Sequence, residues 1–330
     1  MLIQDKVVWD AEVDRRLAFV RALGLDCVAI DLPDGHSDTA AMDLSTPQSA
    51  QAFFRDARAK VAANGMELRS VMATSGFHEI KRGLPGRDEK IAYIINAIRA
   101  MGAAGVPILA YNFKLLMSKY LRSRPTQGRG GASYISFDYE EYLKKPAPPV
   151  EPPLSERQML DNIEYFLKAV IPEAEQAGVR LALHPDDPPV PRGLPPMAGA
   201  AHIASSFDDY RRIWGMVPSR SNGMLFCQGC VKEMQGVDVY DAIREIGSMD
   251  KIVMVHFRNV SGAFPRFQET FVDNGDVDMY RAMLAYRDAG FNGPFSLDHS
   301  PEFPGAQVAN QAFVIGYLRA LIQVVYRQSK

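Results

Sequence analysis

Short apolar runs alternate with amphipathic segments along most of this 330-residue chain. Runs of about four to eight apolar residues are typical of buried strands, and apolar residues three and four positions apart are typical of helices. The predicted strands lie within residues 1–9, 27–30, 67–72, 106–110, 178–183, 224–226, 252–255 and 294–297. The predicted helices cover residues 12–23, 46–63, 88–102, 155–177, 206–214, 239–246, 277–290 and 306–326.

This repeated order of strand and helix favours a sheet of parallel strands. The first clear strand is not followed by the glycine-rich fingerprint of a dinucleotide-binding fold. About eight βα units in a chain of this length instead favour a (β/α)8 TIM barrel. Because no linker divides the chain, we predict a single α/β domain over residues 1–330.

The segment 113–154, after the fourth predicted strand, interrupts this order. A loop of this length in a regular barrel is usually a lid, a subunit contact or a disordered excursion. Four aromatic residues favour an ordered lid or a subunit contact: Tyr134, Phe137, Tyr139 and Tyr142. We therefore predict an inserted loop or lid, and we expect the protein to be a homo-oligomer.

Composition excludes several classes of protein. The chain is 47% hydrophobic with a net charge of -2, which is typical of a globular protein and gives no basic surface for nucleic acid or an anionic membrane. No apolar run approaches the ~18 residues of a membrane span, and the N-terminus does not resemble a signal peptide. Three cysteines in a large chain suggest reduced thiols, so we expect a cytoplasmic protein that acts on a small molecule.

Four consecutive predicted strands end in a residue that can bind a metal ion: His184, Cys227, His256 and Asp298. The carboxyl ends of the strands of a TIM barrel meet at one mouth, so these side chains are expected to converge there. Two imidazoles, a thiolate and a carboxylate suit a divalent transition metal. A zinc or redox site at Cys227 and Cys230 is the weaker alternative, because no second cysteine pair completes it.

Several motifs resemble the mannonate dehydratases, a family of the xylose-isomerase-like TIM barrels. The motifs are Tyr111-Asn112-Phe113, 166–172, 184–189 with 193–195, Asn222-Gly223, His256-Phe257-Arg258, 274–280 and Asp298-His299. The resemblance implies a divalent ion held by the same four residues that the strand ends predict. Manganese is the expected ion, with Fe²⁺, Co²⁺ or Zn²⁺ as alternatives.

The resemblance also implies removal of water from a sugar acid such as D-mannonate, which gives a 2-keto-3-deoxy acid. His299 is then the expected acid and base, with Asp298 shared between the metal and proton transfer. Arg258 is expected to bind a carboxylate or to pair with Asp186 or Asp187. The other expected substrate contacts are Asn112, Tyr111 and Gln268. Asp276 is expected to cap the helix that begins at Val277.

The chain departs from the family pattern at four places where polar groups are expected. Thr74 follows a strand where Glu-Ser is expected, and Gln268 occupies a histidine position. Ser300-Pro301 replaces Gly-His, and Phe313 replaces a tyrosine. The alternatives are therefore a metal-dependent isomerase, epimerase or other lyase on a different polyol or an aromatic-bearing substrate, and a non-catalytic protein that binds a sugar acid.

Overall fold

Eight parallel strands pair side by side and close into a barrel in the computed structural model of the chain. The structure describes residues 1–33, 42–116, 121–301, 303–304 and 308–327. The strands are β1 (Leu2–Lys6), β2 (Cys27–Asp31), β3 (Glu67–Ala73), β4 (Ile108–Tyr111), β5 (Thr126–Gln127), β6 (Ser133–Tyr134), β7 (Ser136–Asp138), β8 (Arg180–Leu183), β9 (Asn222–Cys227), β10 (Ile252–His256), β11 (Asn259–Ala263), β12 (Arg266–Thr270) and β13 (Pro294–Ser296). Around the barrel the order is β1-β13-β10-β9-β8-β4-β3-β2.

The helices are α1 (Val13–Ala22), α2 (Pro47–Ala63), α3 (His78–Arg82), α4 (Arg87–Ala104), α5 (Tyr139–Lys144), α6 (Glu156–Ala177), α7 (Phe207–Met216), α8 (Gln228–Glu233), α9 (Val239–Ser248), α10 (Met279–Asp288) and α11 (Ala309–Arg327). The predicted (β/α)8 barrel with an insertion after the fourth strand is confirmed. Residues 306–307 of the last predicted helix lie outside the described residues. Within the described ranges, no helix is both long enough and apolar enough to cross a membrane.

Parallel pairing of β1 with both β2 and β13 closes the barrel. Inside the barrel, Ser70 Oγ donates to Gln4 Oε1 at 2.8 Å, and Gln4 Nε2 donates to Ser296 Oγ at 3.3 Å. These buried polar groups therefore satisfy one another across three strands. A small apolar cluster packs around the inner strand faces and includes Ala29, Met72 and Met254.

Helix α6 shows how the local sequence determines where an element begins and ends. Ser155 accepts from the backbone of Gln158, and the Gln158 side chain accepts from the Ser155 backbone, which forms a capping box. Its buried face packs on the barrel, and Gly178 ends the helix in the left-handed region with φ 68°. Burial of that face, repeated for the other helices, builds the layer between helices and strands.

The insertion is anchored to the barrel by a second sheet. Strand β7 of the insertion pairs antiparallel with β12, which pairs with β11 to form a hairpin that follows β10. Phe137 and Tyr139 of the insertion pack against Phe264 and Phe267 of that hairpin. All four aromatic residues from which the sequence predicted a lid or subunit contact are buried within the chain itself.

The structure corrects the predicted cap of α10. The capping residue is Asp278, whose carboxylate accepts from the backbone amides of Tyr280 and Arg281. Asp276 instead accepts from Ser261 Oγ and from the amide of Gly262 in the β11–β12 hairpin. The helix begins two residues later than predicted, so the earlier aspartate is free to hold the hairpin.

Close packing of α4 against α6 yields a stability prediction. A Cβ at Gly102 would lie 2.4 Å from the carbonyl oxygen of Ala177, whereas a Cβ at Gly316 in α11 meets nothing within 4 Å. We expect Gly102→Ala to lower the free energy of unfolding by about 1–3 kcal/mol through overpacking. The matched control Gly316→Ala should raise it by roughly 0.5–1 kcal/mol because alanine is the better helix former. Urea unfolding measures both, and equal effects of the two substitutions would contradict the packing.

Candidate metal and active site

Four side chains from neighbouring strand ends form the centre of the site. His184 directly follows β8, Cys227 and His256 end β9 and β10, and Asp298 lies two residues beyond β13. One ligand atom from each residue lies within 4.8 Å of those from the other three. The barrel thus brings together four side chains that are separated by 114 positions of sequence, from His184 to Asp298.

The distances within this cradle (His184, Cys227, His256 and Asp298) fit a shared ion. Cys227 Sγ lies 3.4 Å from Asp298 Oδ2, and His256 Nδ1 lies 3.2 Å from Asp298 Oδ1. Tetrahedral ligands with bonds of about 2.0–2.3 Å lie about 3.3–3.8 Å apart. His256 Nδ1 is buried and faces the carboxylate of Asp298, as expected for two ligands of one ion.

The ring of His184 is oriented by its own chain. Its Nδ1 lies 2.6 Å from the carbonyl oxygen of Pro185, which leaves Nε2 for a ligand. Asp186 and Asp187 do not take this role: Asp186 accepts from Ala204 N and Ser205 Oγ, and Asp187 pairs with Arg122. The backbone carbonyl therefore sets the tautomer of the imidazole.

The surroundings favour the ionised forms of two cradle residues. Burial opposes ionisation of the Cys227 thiol, but its hydrogen bond with Cys230 and the charge of Arg258 hold its pKa well below the usual range. Burial likewise opposes ionisation of Asp298, and the charges of His299 and His256 outweigh it, so that the pKa of Asp298 is also well below normal. A thiolate and a carboxylate are the protonation states that a metal ion requires.

A buried network of guanidinium and carboxylate groups lies beneath the cradle. Arg258 donates to Asp298 Oδ2 and to Glu233 Oε1, both at 2.8 Å. Arg122, from the insertion, donates to Asp187 Oδ2 at 2.8 Å and to Glu269 Oε1 at 2.6 Å. The network therefore joins a cradle residue to the loop after β8, to α8, to the β11–β12 hairpin and to the insertion.

The cradle opens into a cavity of about 800 Å³, which is within the usual range for small-molecule sites. His184, His256 and Asp298 lie in its wall, and Leu115 and Ile135 of the insertion also line it. The cavity is therefore enclosed in part by the inserted segment. Its wall combines charged groups from the strand ends with apolar side chains from the insertion.

His299 lies at this cavity with its side chain 41% exposed. Its Nδ1 lies 3.0 Å from Glu269 Oε2, and its Nε2 lies 3.6 Å from Asp298 Oδ1. The charge of Asp298 raises the pKa of His299 to about 9, against the opposing effect of burial. This arrangement of an imidazole held by a buried carboxylate is the usual one for a residue that transfers protons.

Comparison with known proteins identifies the family. A model of the D-mannonate dehydratase family matches residues 151–328, which is more than half of the chain. The chain belongs to the D-mannonate dehydratase family. Membership makes it a hydro-lyase of the sugar-acid dehydratase class.

Individual relatives agree with this family. The mannonate dehydratase of Streptococcus agalactiae is 28% identical over 304 residues, which cover 82% of this chain and 85% of the relative. The crystal structure of the mannonate dehydratase from Streptococcus suis serotype 2 superposes with a TM-score of 0.81 at 24% identity, over 100% of this chain and 96% of that chain. The structure of 3-keto-D-glucoside 4-epimerase from E. coli superposes with a TM-score of 0.63 at 12% identity, over 96% and 99% of the two chains. At these identities the two structural matches support the fold alone.

The four predicted substrate contacts occupy different places relative to the cavity. Asn112 lines it. Tyr111 faces away from the cavity and packs against Phe166 of α6. Gln268, on β12 of the hairpin, accepts a hydrogen bond from Thr126 Oγ1. Arg258, with its side chain 1% exposed, is held by Glu233 and Asp298. The cavity wall therefore includes only Asn112 of these four among the described residues.

The closest partners of Arg258 differ from the predicted ones. The sequence suggested Asp186 or Asp187, and Arg258 NH2 lies 3.8 Å from Asp187, but its close partners are Glu233 and Asp298. Strand β10 ends at His256, so Arg258 lies beyond the strand, where alternation between the two faces no longer sets the direction of a side chain.

Sequence reasoning missed residues that the structure brings to the site. Glu233 and Glu269 lie on elements that the strand pattern did not predict, namely α8 and β12. Lys81 lies on α3, eight residues beyond the end of β3, and lines the cavity. The available signal was its place in the segment that follows a strand end, because such segments build the site of a TIM barrel.

Two of the four departures from the family pattern lie in different parts of the structure. Thr74 lines the cavity. Phe313 packs edge to face against Phe271 and Phe303, with ring centroids 6.1 and 5.7 Å apart. The change at Phe313 is thus absorbed by an aromatic cluster, whereas the change at Thr74 alters the wall that faces a substrate.

The buried network predicts a large effect of removing its central cation. In Arg258→Met, the carboxylates of Glu233 and Asp298 lose a buried partner, so we expect the free energy of unfolding to fall by about 3–5 kcal/mol. The matched control is Arg157→Met, which removes an exposed pair with Asp161 and should change stability by less than about 0.5 kcal/mol. Urea unfolding tests both variants. Similar stabilities would show that Arg258 does not hold the network together.

Proposed function

We propose that this protein removes water from D-mannonate or a similar aldonate to give a 2-keto-3-deoxy acid, in a reaction that depends on a divalent metal ion. Family membership supports the reaction class. The observation that carries the metal dependence is the convergence of His184, Cys227, His256 and Asp298 within 4.8 Å, beside a cavity that three of them line. The substrate is a sugar acid held in that cavity.

His184, Cys227, His256 and Asp298 would hold the ion. Mn²⁺ is the ion that the family resemblance implies, and its carboxylate ligand here is Asp298. The thiolate and the imidazoles also suit Fe²⁺, Co²⁺ or Zn²⁺. When bound, such an ion supplies a Lewis acid that polarises the oxygen atoms of the sugar acid. The remaining steps belong to the side chains of the protein.

His299 is the proton-transfer residue in this proposal. Dehydration moves a proton from C2 and delivers one to the hydroxyl group that leaves C3. Glu269 holds Nδ1 of His299, which directs Nε2 toward Asp298 and the cavity. His299 therefore exchanges its proton through Nε2, and Asp298 serves both as ligand and as its neighbour during the transfer.

The inserted segment 113–154 is proposed to act as the cover of this site. Leu115, Leu116 and Ile135 line the cavity, and Arg122 ties the segment to Asp187 and Glu269. A covered cavity excludes water from the reacting groups, which strengthens every electrostatic interaction within it. In this proposal the contact between the segment and the barrel is permanent, because Arg122 is 8% exposed and forms ion pairs with both Asp187 and Glu269.

An isomerase or epimerase that uses the same cradle is the second candidate. The observation that favours it is Thr74, which lines the cavity where the family pattern leads one to expect Glu-Ser. Both candidates begin with removal of a proton beside an oxygen-bearing carbon, and they differ in whether a hydroxyl group then leaves. Product analysis separates them directly.

The deciding experiment combines elemental analysis of the purified protein with a panel of aldonates, assayed for 2-keto-3-deoxy acid with and without Mn²⁺. We expect bound divalent metal and a keto acid product that disappears after chelation. Conversion of an aldonate into an isomeric acid without loss of water would favour the second candidate. Activity that is indifferent to chelation would overturn the metal dependence.

Cys227→Ser tests the thiolate ligand. A serine hydroxyl is not ionised at neutral pH, so we expect lower metal content and a turnover number reduced by at least about tenfold. Cys27→Ser is the matched control, since Cys27 is equally buried but lies between β1 and β3, where its Sγ contacts the Ile3 carbonyl. Metal analysis and kcat are measured together. If Cys227→Ser binds as much metal as the wild type, Cys227 is not a ligand of the ion.

His299→Gln tests the proton-transfer role. We expect kcat to fall by about 10²- to 10⁴-fold because the substituted amide cannot exchange a proton, while metal content stays at the wild-type level. Stopped-flow detection of keto acid formation gives the rate. If kcat is retained and only KM rises, His299 binds the substrate and another group moves the proton.

A further inference from the structure

A buried lysine faces the same cavity as the cradle. Lys81, on the short helix α3 after β3, is 4% exposed and lines the cavity. Its Nζ donates to Asn112 Oδ1 at 3.0 Å, and Asn112 Nδ2 donates to the Thr74 carbonyl at 2.5 Å. Asn162 Nδ2 donates to the backbone carbonyl of Lys81 at 3.0 Å. The ammonium group is thus held by Asn112, and the backbone of the lysine is held by Asn162 of α6.

Lys81 differs in its partners from Lys6 and Arg122, two other cations of the cavity wall. Lys6 pairs with Asp31, and Arg122 pairs with Asp187 and Glu269. Lys81 forms no ion pair with a carboxylate in the described part of the chain. A buried charge without an opposite charge is costly, and burial, together with the charge of Lys114, lowers the pKa of Lys81 to about 7. Such a group gains from any anion that enters the cavity.

We propose that Lys81 and Asn112 form the subsite for the carboxylate group of the sugar acid. An ammonium group has three donors, and Asn112 uses one of them, so two are left for carboxylate oxygens. Asn112 accepts from Lys81 and donates to the Thr74 carbonyl, which fixes the direction of the lysine side chain. The proposal rests on the proposed function, because it assigns a role in binding that same acid.

The subsite would decide which class of polyol the enzyme accepts. A neutral polyol offers no charge to Lys81 and leaves the buried cation unpaired, whereas an aldonate neutralises it. A site that contains a buried charge discriminates strongly against ligands that leave this charge unpaired. Lys81 is therefore proposed as a determinant of specificity for acids over neutral sugars, and Asn112 as the residue that positions it.

The experiment compares D-mannonate with D-mannitol, which has a hydroxymethyl group in place of the carboxylate. Binding is measured by calorimetry on the manganese-loaded full-length protein, in a His299→Gln background that slows turnover. We expect Lys81→Met to weaken D-mannonate binding at least about 30-fold and to leave D-mannitol binding within about threefold. Lys81→Gln repeats the test with a polar side chain in case the methionine variant does not fold. Lys168→Met, which removes a lysine with a 62% exposed side chain, is the matched control and should bind both compounds as the parent does.

A purely structural role would give a different result. Removal of an unpaired buried charge is expected to leave Tm unchanged or to raise it, with wild-type manganese content. The proposal is overturned if D-mannonate binding changes less than about threefold, if both compounds weaken equally, or if Tm and metal content fall together with binding. A loss confined to D-mannonate supports the subsite.

Failure of the subsite and failure of the proposed function are separable. If the protein binds D-mannonate through Lys81 but forms no keto acid from any aldonate, the subsite stands and the dehydration is wrong. If it dehydrates aldonates and Lys81→Met keeps the parent KM and kcat, the dehydration stands and the subsite is wrong.

Discussion

The charge of Arg258 is the constraint on which the site depends. A guanidinium group whose side chain is 1% exposed must be paired, and Arg258 meets this need through Asp298 and Glu233. Its hydrogen bond to Asp298 holds that cradle residue in place. Its NH2 group lies 3.2 Å from Sγ of Cys230, which is next to the cradle residue Cys227. Space for it exists because residue 229 is glycine: a Cβ there would lie 2.5 Å from the guanidinium carbon.

The balance of charge around Arg258 explains why this end of the barrel suits a cation. The groups whose pKa is held low by their surroundings are Cys227, Asp298, Asp187 and Glu269. Burial raises the pKa of Glu233, and the charge of Arg258 opposes that shift. Arg122 and Arg258 neutralise part of the negative charge, and a divalent ion in the cradle would neutralise more.

The sequence was sufficient for the barrel and for the cradle, because both depend on local patterns. Each of four apolar runs is followed by a polar residue, and closure of the barrel brings these four strand ends together in the cradle. Tyr111 ends β4 and packs against α6, whereas Asn112 follows the strand and lines the cavity, so the two predicted contacts were not both available to a substrate. The partners of Arg258 and Arg122 could not be predicted, since these pairs join residues 25 to 147 positions apart and no periodicity marks them.

The same long separations bear on how the chain reaches its native state. Strand β7 and Arg122 find their partners in β12 more than a hundred residues later, so the insertion has no native sheet to join until the seventh barrel strand and its hairpin have formed. Contacts of such separation form slowly, because the intervening loop must first be closed. The pairing of β1 with β13 that closes the barrel spans a still longer separation, from Leu2 to Pro294. The closed barrel and the cavity wall are therefore both expected to form late, when nearly the whole chain is available.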